Sequence, residues 1–100
     1  MEQRKQRRSV IRLAIAFQVA GGPRIAALCG DISLGGTFIE TAEIVPFGAP
    51  VRVFLRLPGL ATESAIDAVV RWTKPTGMGV QFGVMGARET HALMQLIAAT

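Results

Sequence analysis

Short runs of alternating apolar and polar residues fill the middle of this chain. Leu13, Ile15, Phe17 and Val19 occupy every second position, the period of a strand with one buried face. Ala20 to Pro23 reads Ala-Gly-Gly-Pro, a turn signal, and Arg24 to Cys29 then predicts a second strand, so the two form a hairpin. Gly30 to Gly36 reads as a glycine-rich loop, and Thr37 to Glu40 as a short β-rich stretch. After a loop holding Pro46, Gly48 and Pro50, the residues Val51, Val53, Leu55 and Leu57 alternate with Arg52, Phe54 and Arg56. Beyond Pro58-Gly59, a further strand sets Ile66, Ala68, Val70 and Trp72 on one face and Asp67, Val69 and Arg71 on the other. Lys74 to Gly77 turns the chain into a last short strand, Gly79 to Gly83.

The period then changes. Ala87 to Ala98 carries Leu93, Met94, Leu96 and Ile97 at helical spacing, among good helix formers. The prediction is mainly β: a six-stranded antiparallel β-barrel over 13–83, closed by a C-terminal α-helix over 86–98. Residues 1–12, beginning MEQRKQRR, read as a flexible basic arm with no apolar period of their own. At 100 residues the chain is long enough for one domain and too short for two.

Charge sharpens this picture. The chain carries a formal net +4, and nine of its eleven positive residues are Arg. Arg suits bidentate recognition of phosphate and guanine better than Lys does. Basicity alone fits a nucleic acid or an anionic membrane surface equally well. The single Cys, Cys29, excludes an internal disulfide and sits in an apolar run as a small core residue. The polar N-terminus lacks the apolar segment of a signal peptide, and no apolar run reaches the ~18 residues of a membrane span. A soluble, cytoplasmic protein is the expectation.

Candidate chemistry concentrates in two places. Asp31-Ile32-Ser33-Leu34-Gly35-Gly36 puts a carboxylate and a hydroxyl two residues apart, so on extended backbone they face the same way. A carboxylate accepts the N–H donors on the Watson–Crick edge of guanine, and a hydroxyl serves a base edge or a phosphate oxygen. Gly36 can take φ > 0 and lets a ligand approach the backbone closely. The same residues also suit a turn in which Asp31 bonds its own backbone. The second place is the arm, where R-x-x-x-R occurs as Arg4…Arg8 and as Arg8…Arg12, with Arg7 between them. Guanidinium groups there can fork onto guanine O6/N7 or a phosphate, and can stack on a purine. One feature precedes the first strand and the other follows the second, so a hairpin returns both to the same end of the sheet.

Other positions say less. His91 is the chain's one His, with no partner to complete a metal site. Trp72 suits the core, the barrel surface or a stacking platform; Arg52, Arg56 and Arg71 suit a solvated strand face, and Gln81 a ligand contact. No nucleophile with its base, P-loop or dinucleotide fingerprint stands out, so an enzyme is not expected.

Arg8-Ser9-Val10-Ile11-Arg12, then Asp31-Ile32-Ser33-Leu34-Gly35-Gly36, then Gly79-Val80-Gln81-Phe82 follow one another as do the marks of the PilZ family, which this chain resembles over nearly its whole length. Val69-Val70-Arg71-Trp72 and the closing helix also look like that family. The resemblance implies a six-stranded barrel with a C-terminal helix. It also implies binding of cyclic di-GMP, often as a stacked dimer, with no cofactor or metal. Arg8 and Arg12 would come from the first motif, with Arg7 and then Arg4 as further candidates. Asp31, Ser33 and Gly36, with Gly35 beside them, would come from the second. Ligand would order the arm and change the surface that a downstream effector protein reads. The short turn between the first two strands compresses the distance from Arg12 to Asp31, a departure from the family's pattern. Two other readings are a PilZ-like protein-interaction module without nucleotide and a basic nucleic-acid-binding barrel. The second would call for exposed aromatic platforms, whereas the chain has no Tyr and most of its Phe lie in apolar contexts.

Overall fold

The computed structural model describes residues 8–99, with side chains from residue 12 onward. Six strands run β1 (Arg8–Val19), β2 (Arg24–Ser33), β3 (Gly36–Glu40), β4 (Pro50–Leu55), β5 (Ser64–Lys74) and β6 (Gly77–Phe82), followed by helix α1 (Ala87–Ala98). All neighbours pair antiparallel, in the order β1-β2-β3-β6-β5-β4, and β4 pairs back onto β1. The result is a closed barrel in which β4 pairs with only the last four residues of β1, Ala16–Val19.

The alternation predicted from sequence determines the inside. Phe17, Ile39, Val53, Leu55, Val70 and Met78 project into one core, and Ala92, Leu93 and Ile97 add the apolar face of α1 to it. Fully burying one such large side chain stabilises the fold by about 1.5–3 kcal/mol. The helix carries Glu89 in its first turn, where a carboxylate favours the positive end of the helix dipole.

Several boundaries differ from the sequence expectation: β5 runs through Lys74 and β6 begins at Gly77, where a turn is predicted, and two further differences shape the site. The first strand begins at Arg8 rather than Leu13, and the second runs on through Ser33 rather than stopping at Cys29. The two extensions pair with each other: Arg8 lies opposite Ser33, Ser9 opposite Ile32 and Val10 opposite Asp31. Residues 8–12 are therefore strand and not arm; Arg4 and Arg7 lie outside the described residues. The polar Asp31 and Ser33 read as loop from composition, yet Ile32 between them is buried and holds the segment to the core.

Three irregularities interrupt the ladders, between Val10 and Leu13 on β1, between Cys29 and Ile32 on β2, and between Val70 and Trp72 on β5. Each places one extra residue on one strand, which shifts the faces of the residues beyond it. On β5 this overturns the expectation that Trp72 shares a face with Ile66, Ala68 and Val70. Those three are buried, whereas Trp72 emerges on the outer surface with 49% of its area exposed.

Candidate functional site

A cavity of about 510 Å³ opens on the outer face of the barrel across β2, β3, β6 and β5. That volume lies in the ~300–1,000 Å³ range of small-molecule sites. One side is formed by Asp31 and Ser33 at the end of β2 and by Gly35 and Gly36 in the tight connection to β3. Because Ile32 points inward, its two neighbours point outward together.

Local hydrogen bonds shape this corner. The Ser33 hydroxyl accepts from the Gly35 amide at 3.1 Å, and the carbonyl of Gly35 accepts from the Phe82 amide at 2.8 Å. The buried Thr37 hydroxyl donates to the carbonyl of Asp31. Among the described residues φ is positive only at the glycines Gly21, Gly48 and Gly59, so Gly36 does not use the left-handed region expected of it. Its requirement is steric: a Cβ there would lie 2.1 Å from the carbonyl oxygen of Val80.

The facing wall comes from β5 and β6. Phe38, Gly79 and Trp72 stand in one row across β3, β6 and β5. The rings of Phe38 and Trp72 stack across the glycine, with centroids 5.2 Å apart and planes at 19°. The Lys74 ammonium lies 5.0 Å from the Phe38 ring centre. Arg71, the extra residue of the β5 bulge, donates from Nε to Oε1 of Gln81 at 2.7 Å, and both side chains line the cavity.

The residues singled out from sequence thus divide. Asp31, Ser33, Gly35 and Gly36 share the cavity wall. Arg12 is not part of that wall; it is exposed and ion-paired with Glu40 at 3.2 Å. The backbone of Arg8 pairs with that of Ser33, and its side chain lies outside the described part. Arg52, on β4, binds Asp67 and is solvated, Arg56 lies just past the end of β4 and donates to the carbonyl of Ala61, and the bulge brings Arg71 to the cavity. Phe38 and Lys74 were not singled out from sequence. The glycines at alternate positions of β6, Gly77 and Gly79, were the available signal, because bare backbone on an outer face invites rings from both sides. Among the described residues, no group of three or more His, Cys, Asp or Glu gathers to hold a metal. No described helix is long and apolar enough to cross a membrane.

A small closed β-barrel with a cavity of small-molecule size on its outer face is the class that fold and site define. The profile of the PilZ domain matches residues 2–99, and the chain belongs to the PilZ family. Among solved structures it is similar to the Bacillus subtilis inhibitor of motility MotI/DgrA, at 26% identity and a TM-score of 0.74, over 99% of this chain and 51% of that one. The PilZ domain of YcgR from Escherichia coli, solved with c-di-GMP, matches at 16% identity and a TM-score of 0.72, over 98% of this chain and 91% of that one. MrkH of K. pneumonia, solved as a c-di-GMP complex, matches at 15% identity and a TM-score of 0.73, over 99% of this chain and 52% of that one. The chain therefore spans about half the length of MotI/DgrA and MrkH. No match is found among curated proteins.

Proposed function

We propose that this chain is a receptor for cyclic di-GMP that carries out no chemistry itself. The observation that supports this most is one cavity lined by Asp31, Ser33, Gly35 and Gly36, in a chain of the PilZ family. Two structural neighbours were solved with that nucleotide, which supports the same ligand here. In this reading Asp31 accepts the N1–H and N2–H₂ donors of a guanine, and the close backbone at Gly36 lets the ligand settle against β6. Arg8 and Arg12, with Arg7 and Arg4, clamp guanine and phosphate from the other side. Arg12 exchanges Glu40 for the ligand. The cost is small, because an exposed ion pair is worth about 0–1 kcal/mol. Ligand held by these arginines then changes the surface presented to a downstream effector protein.

Calorimetric titration with cyclic di-GMP tests this. Arg8→Ala and Asp31→Ala should each cost about 1–3 kcal/mol, the value of a bidentate base contact. Unchanged affinity in both variants would remove the site assignment. A flat titration of the unaltered chain would favour a module that acts through proteins alone. The exterior Phe38–Trp72 stack beside Lys74 and Arg71 also suits single-stranded nucleic acid, through stacking and charge. Competition between cyclic di-GMP and an oligonucleotide separates the two ligands.

A further inference from the structure

Two of the strand irregularities meet at Gly30. On the β1 side, Ile11 and Arg12 both oppose Gly30, between the pairs Val10–Asp31 and Leu13–Cys29. On the β3 side, Gly30 and Asp31 both oppose Phe38, between the pairs Cys29–Ile39 and Ile32–Thr37. β2 therefore offers no side chain at that level, and groups from β1 and β3 can meet over its backbone. Glu40 stands two residues beyond Phe38, on the same face of β3. Its carboxylate lies over Gly30, where a Cβ would be 3.1 Å from Oε2. Arg12 reaches it from β1 with both terminal nitrogens, Nη1 3.3 Å from Oε2 and Nη2 3.2 Å from Oε1.

This is a bidentate fork, and it engages the same Nη donors that a clamp would turn onto guanine or phosphate. The two partners are not equally held. The Glu40 side chain is 32% exposed and that of Arg12 64%, so the carboxylate is the fixed half and the guanidinium the half that can leave. The pair also stands at the edge of the cavity, since Asp31 and Phe38, which flank Gly30, both line it. We propose that Glu40 is a built-in competitor for Arg12: it holds the guanidinium beside the cavity, and the ligand must displace it, so this carboxylate sets the affinity of the site. The inference rests on the cyclic di-GMP reading and on Arg12 as one of its clamps. It goes beyond them in giving a residue outside the cavity wall control over binding. The range of that control is about two- to fivefold, the equivalent of an exposed ion pair with fork geometry.

Cyclic di-GMP is titrated by calorimetry into the full chain at an ionic strength of about 0.1 M, with ligand in excess to cover weak variants. Glu40→Gln keeps the shape of the side chain and removes its charge, and it should tighten binding about two- to fivefold. Glu43→Gln removes an exposed charge from the adjoining loop and should change affinity by less than about twofold. Arg12→Ala should weaken binding, and Glu40→Gln added to it should bring no further gain, because no fork remains to be released. A merely structural Glu40 would act with the opposite sign, since its loss would loosen β3 and weaken binding. Thermal melts accompany each variant, and Glu40→Asp, one methylene short of the fork, carries the test if Glu40→Gln fails to fold. If the unaltered chain binds and Glu40→Gln binds equally or more weakly, the competitor is overturned and the nucleotide reading stands. If the gain persists in the Arg12→Ala background, or Glu43→Gln gains as much, the effect is one of net charge and the competition fails. If Arg12→Ala binds as the unaltered chain does, Arg12 is no clamp and the competitor falls with it. If the unaltered chain does not bind cyclic di-GMP, both readings fall together.

Discussion

Phe38 and Trp72 belong to strands that do not pair, β3 and β5, yet their rings stack with centroids 5.2 Å apart. The strand between them contributes Gly79, which pairs with both residues and has no side chain to keep the rings apart. A Cβ at Gly79 would lie 2.1 Å from the indole Nε1. Gly79→Ala should therefore push the indole off the stack, at a cost of about 1–3 kcal/mol typical of overpacking. The emission of Trp72 should move to the red as the ring gains water. Urea unfolding and a fluorescence spectrum check both, and an unshifted maximum would mean that the indole does not rest on Gly79.

Gly36 meets a different obstacle, because its neighbour is backbone. The Val80 carbonyl oxygen would lie 2.1 Å from an added Cβ, and the pairings of Gly36 with Gln81 and Thr37 with Val80 leave no slack. Gly36→Ala should separate β3 from β6 at that point and lower stability by at least about 1–3 kcal/mol. In a domain of this size each 1 kcal/mol lowers the melting temperature by about 4–8 °C. Gly21 provides the comparison. It has φ +79° and open space around it, so Gly21→Ala is penalised by conformation alone, about 1–2 kcal/mol. A melt of Gly36→Ala as stable as the unaltered chain would remove the steric account.

Much of this architecture is legible in the sequence, and the reason is periodicity. Leu13, Ile15, Phe17 and Val19 alternate because one face of β1 is buried, and α1 spans Ala87–Ala98 as its spacing predicts. The Asp31–Gly36 corner stands out because a carboxylate, a hydroxyl and paired glycines fall close together, and Asp31, Ser33, Gly35 and Gly36 do line one cavity. The opposite wall is not, because it depends on a bulge. One extra residue at Arg71 reverses the face of Trp72, and nothing in Val69-Val70-Arg71-Trp72 announces it. Strand ends are also hidden: pairing of Val10 with Asp31 is a tertiary fact that local composition does not encode.

At another part of the barrel, Arg24 carries out two tasks. Its guanidinium lies 3.7 Å from the centre of the Phe54 ring, and it pairs with Glu63 at 2.7 Å. Both partners of the ion pair are more than 40% exposed, so solvent screens it to about 0–0.5 kcal/mol. The contact with Phe54 is the larger part, about 0.5–1 kcal/mol, plus the apolar area it covers. Arg24→Ala should cost about 1–2 kcal/mol and Glu63→Gln less than about 0.5 kcal/mol. Equal losses in urea unfolding would assign the stabilisation to the ion pair instead.

Cys29 gives the fold a dependence on alkaline pH. Its side chain is fully buried, with Sγ 2.6 Å from the Thr37 hydroxyl. Burial pushes the thiol pKa up, the Thr37 hydrogen bond pulls it back in part, and the charges of Asp31 and Glu40 raise it further. The folded chain therefore holds this proton more tightly than the unfolded chain does. The associated stability is complete below the ordinary thiol pKa of about 8.5, and it is lost as pH rises from there through the folded value. Within that window the loss approaches about 1.4 kcal/mol per pH unit. Cys29→Ala removes the titrating group, so its stability should fall less steeply between about pH 8.5 and 10. Urea unfolding of both chains across that range measures the difference. Identical slopes would mean that Cys29 contributes no proton linkage. The same burial predicts that a thiol reagent modifies native Cys29 only as fast as the barrel opens, and rapid labelling at pH 7 would contradict it.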